Sequence, residues 1–179
     1  MSPAPPGRRT RGTTDLTVTV LESRHRPQLQ VARPFETGMM IQLREPTVSY
    51  YRFLIDQVGR GRMWPERRAM TDEEIAEILA SEQVSITVLS IGGVPAGFFE
   101  LDRRESGVIV LARVGLVSEF TGRGLGRFLL AAAVEAAWDE DPEVVRAEAT
   151  DRHDPRSLLL FQWAGFEPVG TTIRKVPAV

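Results

Sequence analysis

The sequence predicts an α/β (α+β) domain: a mixed, mostly antiparallel sheet of six to seven strands flanked by about four helices. Three observations carry this expectation. Val84–Ile91, Val94–Leu101 and Val108–Val117 are apolar, β-branched runs separated only by short turns, as in an antiparallel meander. A glycine-rich stretch, 118–126, then leads into an amphipathic segment ending near Trp138. Beyond it, a strand-like run, a helix with both end signals and a last strand-like run complete one β–α–β unit.

Residues 1–13 hold three prolines and three arginines with almost nothing apolar, the composition of a disordered tail. Residues 14–179 then form a single domain, with no internal repeat and no linker. Leu16–Leu21 alternates and is β-branched, hence a strand. Pro27 and Pro34 make 24–38 a loop, and Met39–Leu43 reads as a short strand. Pro46 opens a helix whose stripe is Val48, Tyr51, Ile55 and Val58, stopped by Gly59 and Gly61. An arginine-rich loop, 60–70, carries Trp64. A second helix starts at Thr71, which forms a capping box with Glu74 and buries Ile75, Ile78 and Leu79. Gly92-Gly93 marks a tight hairpin between the first two meander strands. The helix after the glycine stretch turns Leu125, Phe128, Leu129, Ala132, Ala133 and Ala136 inward. Val144–Ala149 is a strand. Asp154-Pro155 opens the last helix, Gly165 caps it, and Val169–Ile173 closes the sheet.

Composition excludes several functions. With no cysteine there is no disulfide scaffold, thiolate metal site or cysteine nucleophile, and two histidines cannot build a histidine cluster. A net charge of −2 supplies no global field for nucleic acid or anionic membrane. No apolar run approaches the ~20 residues of a membrane span, and the first residues lack the apolar core of a secretory signal. Neither a nucleic acid nor a membrane is therefore expected as a partner, and the expected location is cytoplasmic.

The chemistry concentrates in Gly122, Gly124 and Gly126, alternating just before a helix. Glycine lets backbone approach a ligand closely. The free N–H groups and positive dipole end of a helix start attract anions. Arg123 and Arg127 add positive charge, so the loop suits phosphate, and pyrophosphate in particular. The same glycines also serve a plain tight strand-to-helix turn. A nucleotide P-loop would need Gly-Lys-Ser/Thr, whereas Gly126 precedes Arg127 and Phe128. A dinucleotide fingerprint needs GxGxxG directly after a strand, whereas this spacing is GxGxG.

Thr121 to Gly126, Thr-x-x-Gly-x-Gly, resembles the acetyl-CoA loop Arg/Gln-x-x-Gly-x-Gly/Ala of the GCN5-related N-acetyltransferase (GNAT) superfamily. The meander, the strand at 144–149 and the ending Trp163-Ala-Gly-Phe166 extend the resemblance over roughly residues 16–173. Tyr50 to Leu54, Trp64 and Asp72 to Glu74 resemble a bacterial subgroup of unassigned acceptor. The resemblance implies a splay between strands 108–117 and 144–149 that takes the pantetheine arm of acetyl-CoA, the cosubstrate. Backbone groups of Leu116 and Val117 would bind that arm. The N–H groups of Gly122, Arg123, Gly124, Leu125, Gly126 and Arg127 would hold the pyrophosphate. The implied reaction moves acetyl to a primary amine of a small molecule or peptide.

Three positions depart from the family pattern. Thr121 replaces Arg or Gln, Asp154 stands where Asn is frequent, and Phe161 replaces the Tyr that commonly protonates the leaving thiolate. Phenylalanine has no proton to give. Val110 also takes the place of a second Glu usual in the subgroup. Glu100, inside the apolar run Ala96–Glu100, is the expected general base, since burial raises a carboxyl's affinity for protons. A plain ion pair between Glu100 and Arg113 on the adjacent strand accounts for it equally well. His153, Glu119 and Asp151 are weaker candidates. Trp64, Tyr50, Tyr51 and the arginines at 60, 62, 67 and 68 are expected to wall the acceptor side, although a solvated loop explains the arginines too. Phe161 and Val110 favour the alternative of a non-catalytic CoA-binding sensor on the same fold. A homodimer stays open.

Overall fold

The structure is a computed structural model that describes residues 12–58, 63–151 and 156–177. Among these residues seven strands and five α-helices follow in the order β1 (Thr13–Ser23), β2 (Gly38–Gln42), α1 (Val48–Gln57), α2 (Pro65–Ala69), α3 (Asp72–Leu79), β3 (Val84–Ile91), β4 (Val94–Asp102), β5 (Val108–Leu116), α4 (Leu125–Trp138), β6 (Val144–Thr150), α5 (Arg156–Trp163) and β7 (Glu167–Pro177). One sheet holds all seven strands in the order β2-β3-β4-β5-β6-β1-β7. Its one parallel pair is β5 with β6. The expected mixed, mostly antiparallel architecture is what the chain forms.

The meander folds as its turns require. Gly92 and Gly93 both take positive φ, 59° and 86°, at the β3–β4 hairpin. Beyond it, β1 lies between β6 and β7 and pairs with both. Its partnership with β7 runs from Thr13 to Glu22, which makes the last strand longer than the five residues its alternation suggests.

Two helical layers cover the sheet. On one face α4 and α5 pack over Leu111, Val145, Ala147 and Ala149. On the other, α1 and α3 pack over Ile86, Val88 and Phe98. The inner face of α4 is Leu125, Leu129, Leu130, Ala133, Val134 and Ala137, rotated from the expected stripe; Phe128, Ala132 and Ala136 sit at its margin. Helix α1 starts at Val48, two residues beyond the proline expected to open it, with Thr47 as its N-cap. The capping box at α3 is present in both directions, Glu74 N–H to Thr71 Oγ1 and Thr71 N–H to Glu74 Oε2.

Helix α2 interrupts what reads as an arginine-rich loop. Pro65 occupies its first turn, Glu66 follows, and Arg67 and Arg68 lie in its last turn, each favourable to the helix dipole. Five residues are too few to show a period. The stops at Gly59 and Gly61, the arginines 60 and 62, and the Asp154-Pro155 start lie outside the described residues, as does most of the tail. Gly165 caps the last helix with φ 87°. No helix among the described residues is long and apolar enough to cross a membrane.

Candidate active site

The site begins with a ladder that stops. β5 and β6 pair only from Val108 with Val144 to Leu111 with Ala147. The next residue of β5, Ala112, has no opposite number on β4: Glu100 pairs with Arg113 and Leu101 with Leu111. An extra residue bends its strand and breaks its pairing. From this bulge onward β5 leaves β6, which continues to Thr150 paired with β1 alone. The two strands therefore open into a cleft of about 270 Å³.

Its walls are mostly apolar: Leu111, Val114 and Leu116 from β5, Leu129 and Leu130 from α4, Leu160 and Phe161 from α5. Met63, Trp64 and Val58 close the side of α1 and α2. Space there is tight. A Cβ on Gly115 would collide with Val58 Cγ1, so glycine lets Val58 and Trp64 pack close over β5. Trp64 takes the left-handed conformation (φ 53°) and sets its ring edge-on to Phe98 at 5.7 Å.

Backbone groups also face the opening. Val117 donates its N–H to Ala96 O at 2.9 Å. In an antiparallel pair the direction alternates residue by residue, so the N–H groups of Leu116 and Val114 point away from β4, towards the opening. An extended ligand could add there as a strand. Of the two residues whose backbone is expected to serve a ligand here, Leu116 turns its N–H to the opening, whereas the N–H of Val117 is directed to Ala96.

At the mouth, Gly122 and Gly124 both adopt φ 76°, and Gly124 is the left-handed N-cap of α4. The positive φ, and not crowding, requires glycine at these two positions: no atom stands within 4 Å of a Cβ on Gly122, and only Pro34 Cβ, at 3.9 Å, near one on Gly124. No side chain caps the helix, so the N–H groups of Gly124 through Arg127 are left to solvent or a ligand. Arg123 and Arg127 are exposed beside them, each lying over an aromatic ring: Phe120 at 5.3 Å and Trp163 at 5.3 Å. Among the described residues neither forms a salt bridge. Thr121 borders the cleft and turns its hydroxyl back to Ser118 O at 2.8 Å.

Glu100 does not join this constellation. It is completely buried, accepts a 2.5 Å hydrogen bond from Tyr51 Oη and pairs with Arg67 Nη2 at 2.8 Å. It lines no part of the cleft. The ion-pair reading of Glu100 thus finds its partner in Arg67 of α2, not in Arg113, which approaches Glu66 at 3.5 Å. Burial, followed by the negative charge of Glu100, pushes the Tyr51 hydroxyl far above the usual tyrosine range.

The other candidates separate in the same way. Of the residues expected to wall the acceptor side, Trp64 lines the cleft; Tyr50 stacks on Phe53, Tyr51 is buried and Arg68 pairs with Asp56. Glu119 is exposed on a short 3-10 turn. Asp151 accepts from the Thr17 N–H and closes the β1–β6 pair. Val110 lies in the paired part of β5, below the opening. His153 and Asp154 lie outside the described residues. The residue that sequence reasoning missed is Glu148. It lies on β6 just beyond the last rung with β5 and is the one carboxylate lining the cleft among the described residues.

A family model described as "Acetyltransferase (GNAT) family" matches residues 48–166. The chain belongs to the GNAT acetyltransferase family. The match runs from α1 to the cap of α5, so β1, β2 and β7 lie outside it. A search of curated proteins returns no significant match. Solved structures similar to this GNAT protein include a conserved protein of unknown function from Staphylococcus epidermidis (TM-score 0.62, 11% identity, 93% of this chain and 63% of that one). Another is the aminoglycoside N-acetyltransferase AAC(6')-Iy in complex with CoA (0.53, 22%, 74% and 90%). A third is a tandem GNAT protein from the clavulanic acid biosynthesis pathway (0.58, 16%, 91% and 54%). At such identities the likeness is one of fold. The chain spans a little over half of the tandem protein and under two thirds of the staphylococcal one.

Proposed function

We propose that this GNAT protein moves acetyl from acetyl-CoA to a primary amine of a small molecule or peptide, in the cleft between β5 and β6. The observation that supports the reading most is a continuity. An apolar channel with strand N–H groups unpaired among the described residues leads directly to a helix start without a side-chain cap and two exposed arginines. A pantetheine arm is long, weakly polar and carries amides; a pyrophosphate is a compact dianion. The channel suits the first and the helix start the second.

The residues then divide the work. Val114 and Leu116 would hold the arm by their N–H groups, as strand addition does. Gly122, Arg123, Gly124, Leu125, Gly126 and Arg127 would hold the pyrophosphate by backbone N–H groups. The arginine side chains would add screened attraction from the rim. Leu129, Leu130, Leu160 and Phe161 would keep water from the thioester. Acetyl-CoA itself supplies an acyl carbon that a free amine can attack. Phe161 lines the cleft where the family commonly has a proton donor, so a departing thiolate finds no donor in this side chain.

Glu100 has a positioning role here. It ties Tyr51 of α1 and Arg67 of α2 to the sheet and so holds Trp64, which precedes Pro65, against the cleft. Its full burial, away from the cleft, does not suit it to receive a proton from an amine.

Phe161 also favours a second reading, a sensor that binds CoA without turning it over. Titration calorimetry with acetyl-CoA, followed by thiol release over a panel of amines, separates the readings. We expect micromolar affinity, about −8 kcal/mol, and amine-dependent release. Binding without release would favour the sensor, and no binding would reject both. A cytoplasmic location belongs to the same proposal.

A further inference from the structure

We infer that Glu148 receives the acceptor's ammonium group in the cleft and takes its proton, with Arg174 of β7 setting the position of the carboxylate. The inference rests on the proposed acetyl transfer and names the group that completes it.

Glu148 stands at a particular place on β6. Its neighbours Ala147 and Ala149 are buried under α4, so Glu148 points to the opposite face, the side of α1 and α2. The ladder with β5 ends one residue earlier, at Ala147. Among the described residues no strand covers Glu148 on the β5 side, and the residue borders the opening together with Arg113 and Trp64. An acceptor entering from the face of α1 and α2 meets this carboxylate before it reaches the apolar interior.

The carboxylate is held without being enclosed. Arg174 Nη1 donates to Oε2 at 2.9 Å and Arg174 Nη2 to Oε1 at 2.7 Å, a two-point fork that fixes its plane. The Glu148 side chain is still 39% exposed, whereas that of Glu100 is not exposed at all. Each carboxylate oxygen has a second lone pair for an ammonium N–H. The other charged groups nearby are accounted for. Glu66 of α2 lies close enough to Arg174 to be felt by it and approaches Arg113. Arg146, two residues back on β6, is taken by Glu22 and Glu105.

The step balances as follows. Glu148 accepts one proton from the ammonium, leaving a neutral amine. The amine nitrogen forms a bond to the acyl carbon and the carbon–sulfur bond breaks, with its electron pair leaving on sulfur. The second N–H proton ends on that sulfur, and Glu148 passes its own to water. No other reactant is needed.

The test does not require the natural acceptor. S-(2-aminoethyl)-CoA carries an ammonium two carbons from the sulfur, near where the acceptor nitrogen would sit; S-ethyl-CoA is its uncharged counterpart. Calorimetry on the wild-type chain should show the aminoethyl form binding about 10-fold more tightly than the ethyl form. Glu148→Gln should abolish that preference while CoA itself binds unchanged. Arg174→Gln should enlarge the preference, because it removes the cation that competes for the same carboxylate; a merely structural pair would not move it in this direction. The inference is overturned if wild type shows no preference, if the preference survives Glu148→Gln, or if Arg174→Gln leaves it unchanged or smaller. Failure of CoA to bind the wild-type chain would instead refute the acetyl-transfer reading on which it rests.

Discussion

Glu100→Gln should destabilise the chain severely, and the structure sets the scale. Arg67 has a side chain only 5% exposed, and Glu100 is the carboxylate that pairs with it. Its Nε already has no hydrogen-bond partner among the described residues. Glutamine keeps the shape but removes the charge, leaving a guanidinium in the interior without a counter-ion. Breaking a buried pair in this way costs about 3–5 kcal/mol. A domain of this size loses about 2–4 °C of Tm per kcal/mol, so a fall on the order of 10 °C is expected. Tyr51→Phe removes a single hydrogen bond to the carboxylate and should cost about 1.5–3 kcal/mol. Arg67→Met combined with Glu100→Gln should recover part of the loss, because the stranded cation is gone; the coupling should exceed about 1 kcal/mol. Urea unfolding of these three variants, of Arg67→Met alone and of wild type measures these terms. Wild-type stability in Glu100→Gln, together with lost turnover, would refute the positioning role and return Glu100 to the part of general base.

Gly124→Glu places a carboxylate at the helix start, in a backbone conformation that disfavours side chains, and should abolish acetyl-CoA binding by calorimetry while the chain stays folded. Phe161→Tyr restores a donor beside the cleft. If thiolate protonation limits the rate, steady-state thiol release should rise roughly several-fold, well below the ~10²–10⁴ of a fully positioned acid. Slower release would mean that packing against Phe166, 5.4 Å away edge-on, is the main role of Phe161. Tyr51, held well above its ordinary range, contributes stability that is complete below the unfolded tyrosine value of ~10 and lost as pH rises through the higher folded value. Wild-type unfolding free energy should therefore drop above about pH 10, and Tyr51→Phe should flatten that limb.

The sheet was legible because its strands advertise themselves. Val84–Ile91 and Val108–Leu116 are rich in β-branched and apolar residues, and the Gly92-Gly93 turn admits few other connections. The glycine loop was legible for a similar reason: positive φ at Gly122 and Gly124 is a backbone demand that writes itself into residue type. Positions set by distant partners were hidden. The insertion of β1 between β6 and β7 depends on pairings more than a hundred residues apart. The pairing of Glu100 with Arg67 depends on α2, a helix too short to show a period. Glu148 was hidden by a different ambiguity. In Val-Val-Arg-Ala-Glu-Ala-Thr the alternation correctly turns Glu148 away from α4, but alternation does not distinguish a solvent face from a cleft wall. What makes the difference is Ala112, one extra residue on the neighbouring strand.

A crystal structure with acetyl-CoA tests the central claim most directly. The account predicts the pyrophosphate on the N–H groups of Gly122 through Arg127 and the pantetheine arm along β5 with the N–H groups of Val114 and Leu116 as donors. It places the thioester between Phe161 and Glu148. Acetyl-CoA bound elsewhere on the sheet, or an arm that leaves the opening between β5 and β6 empty, would contradict it.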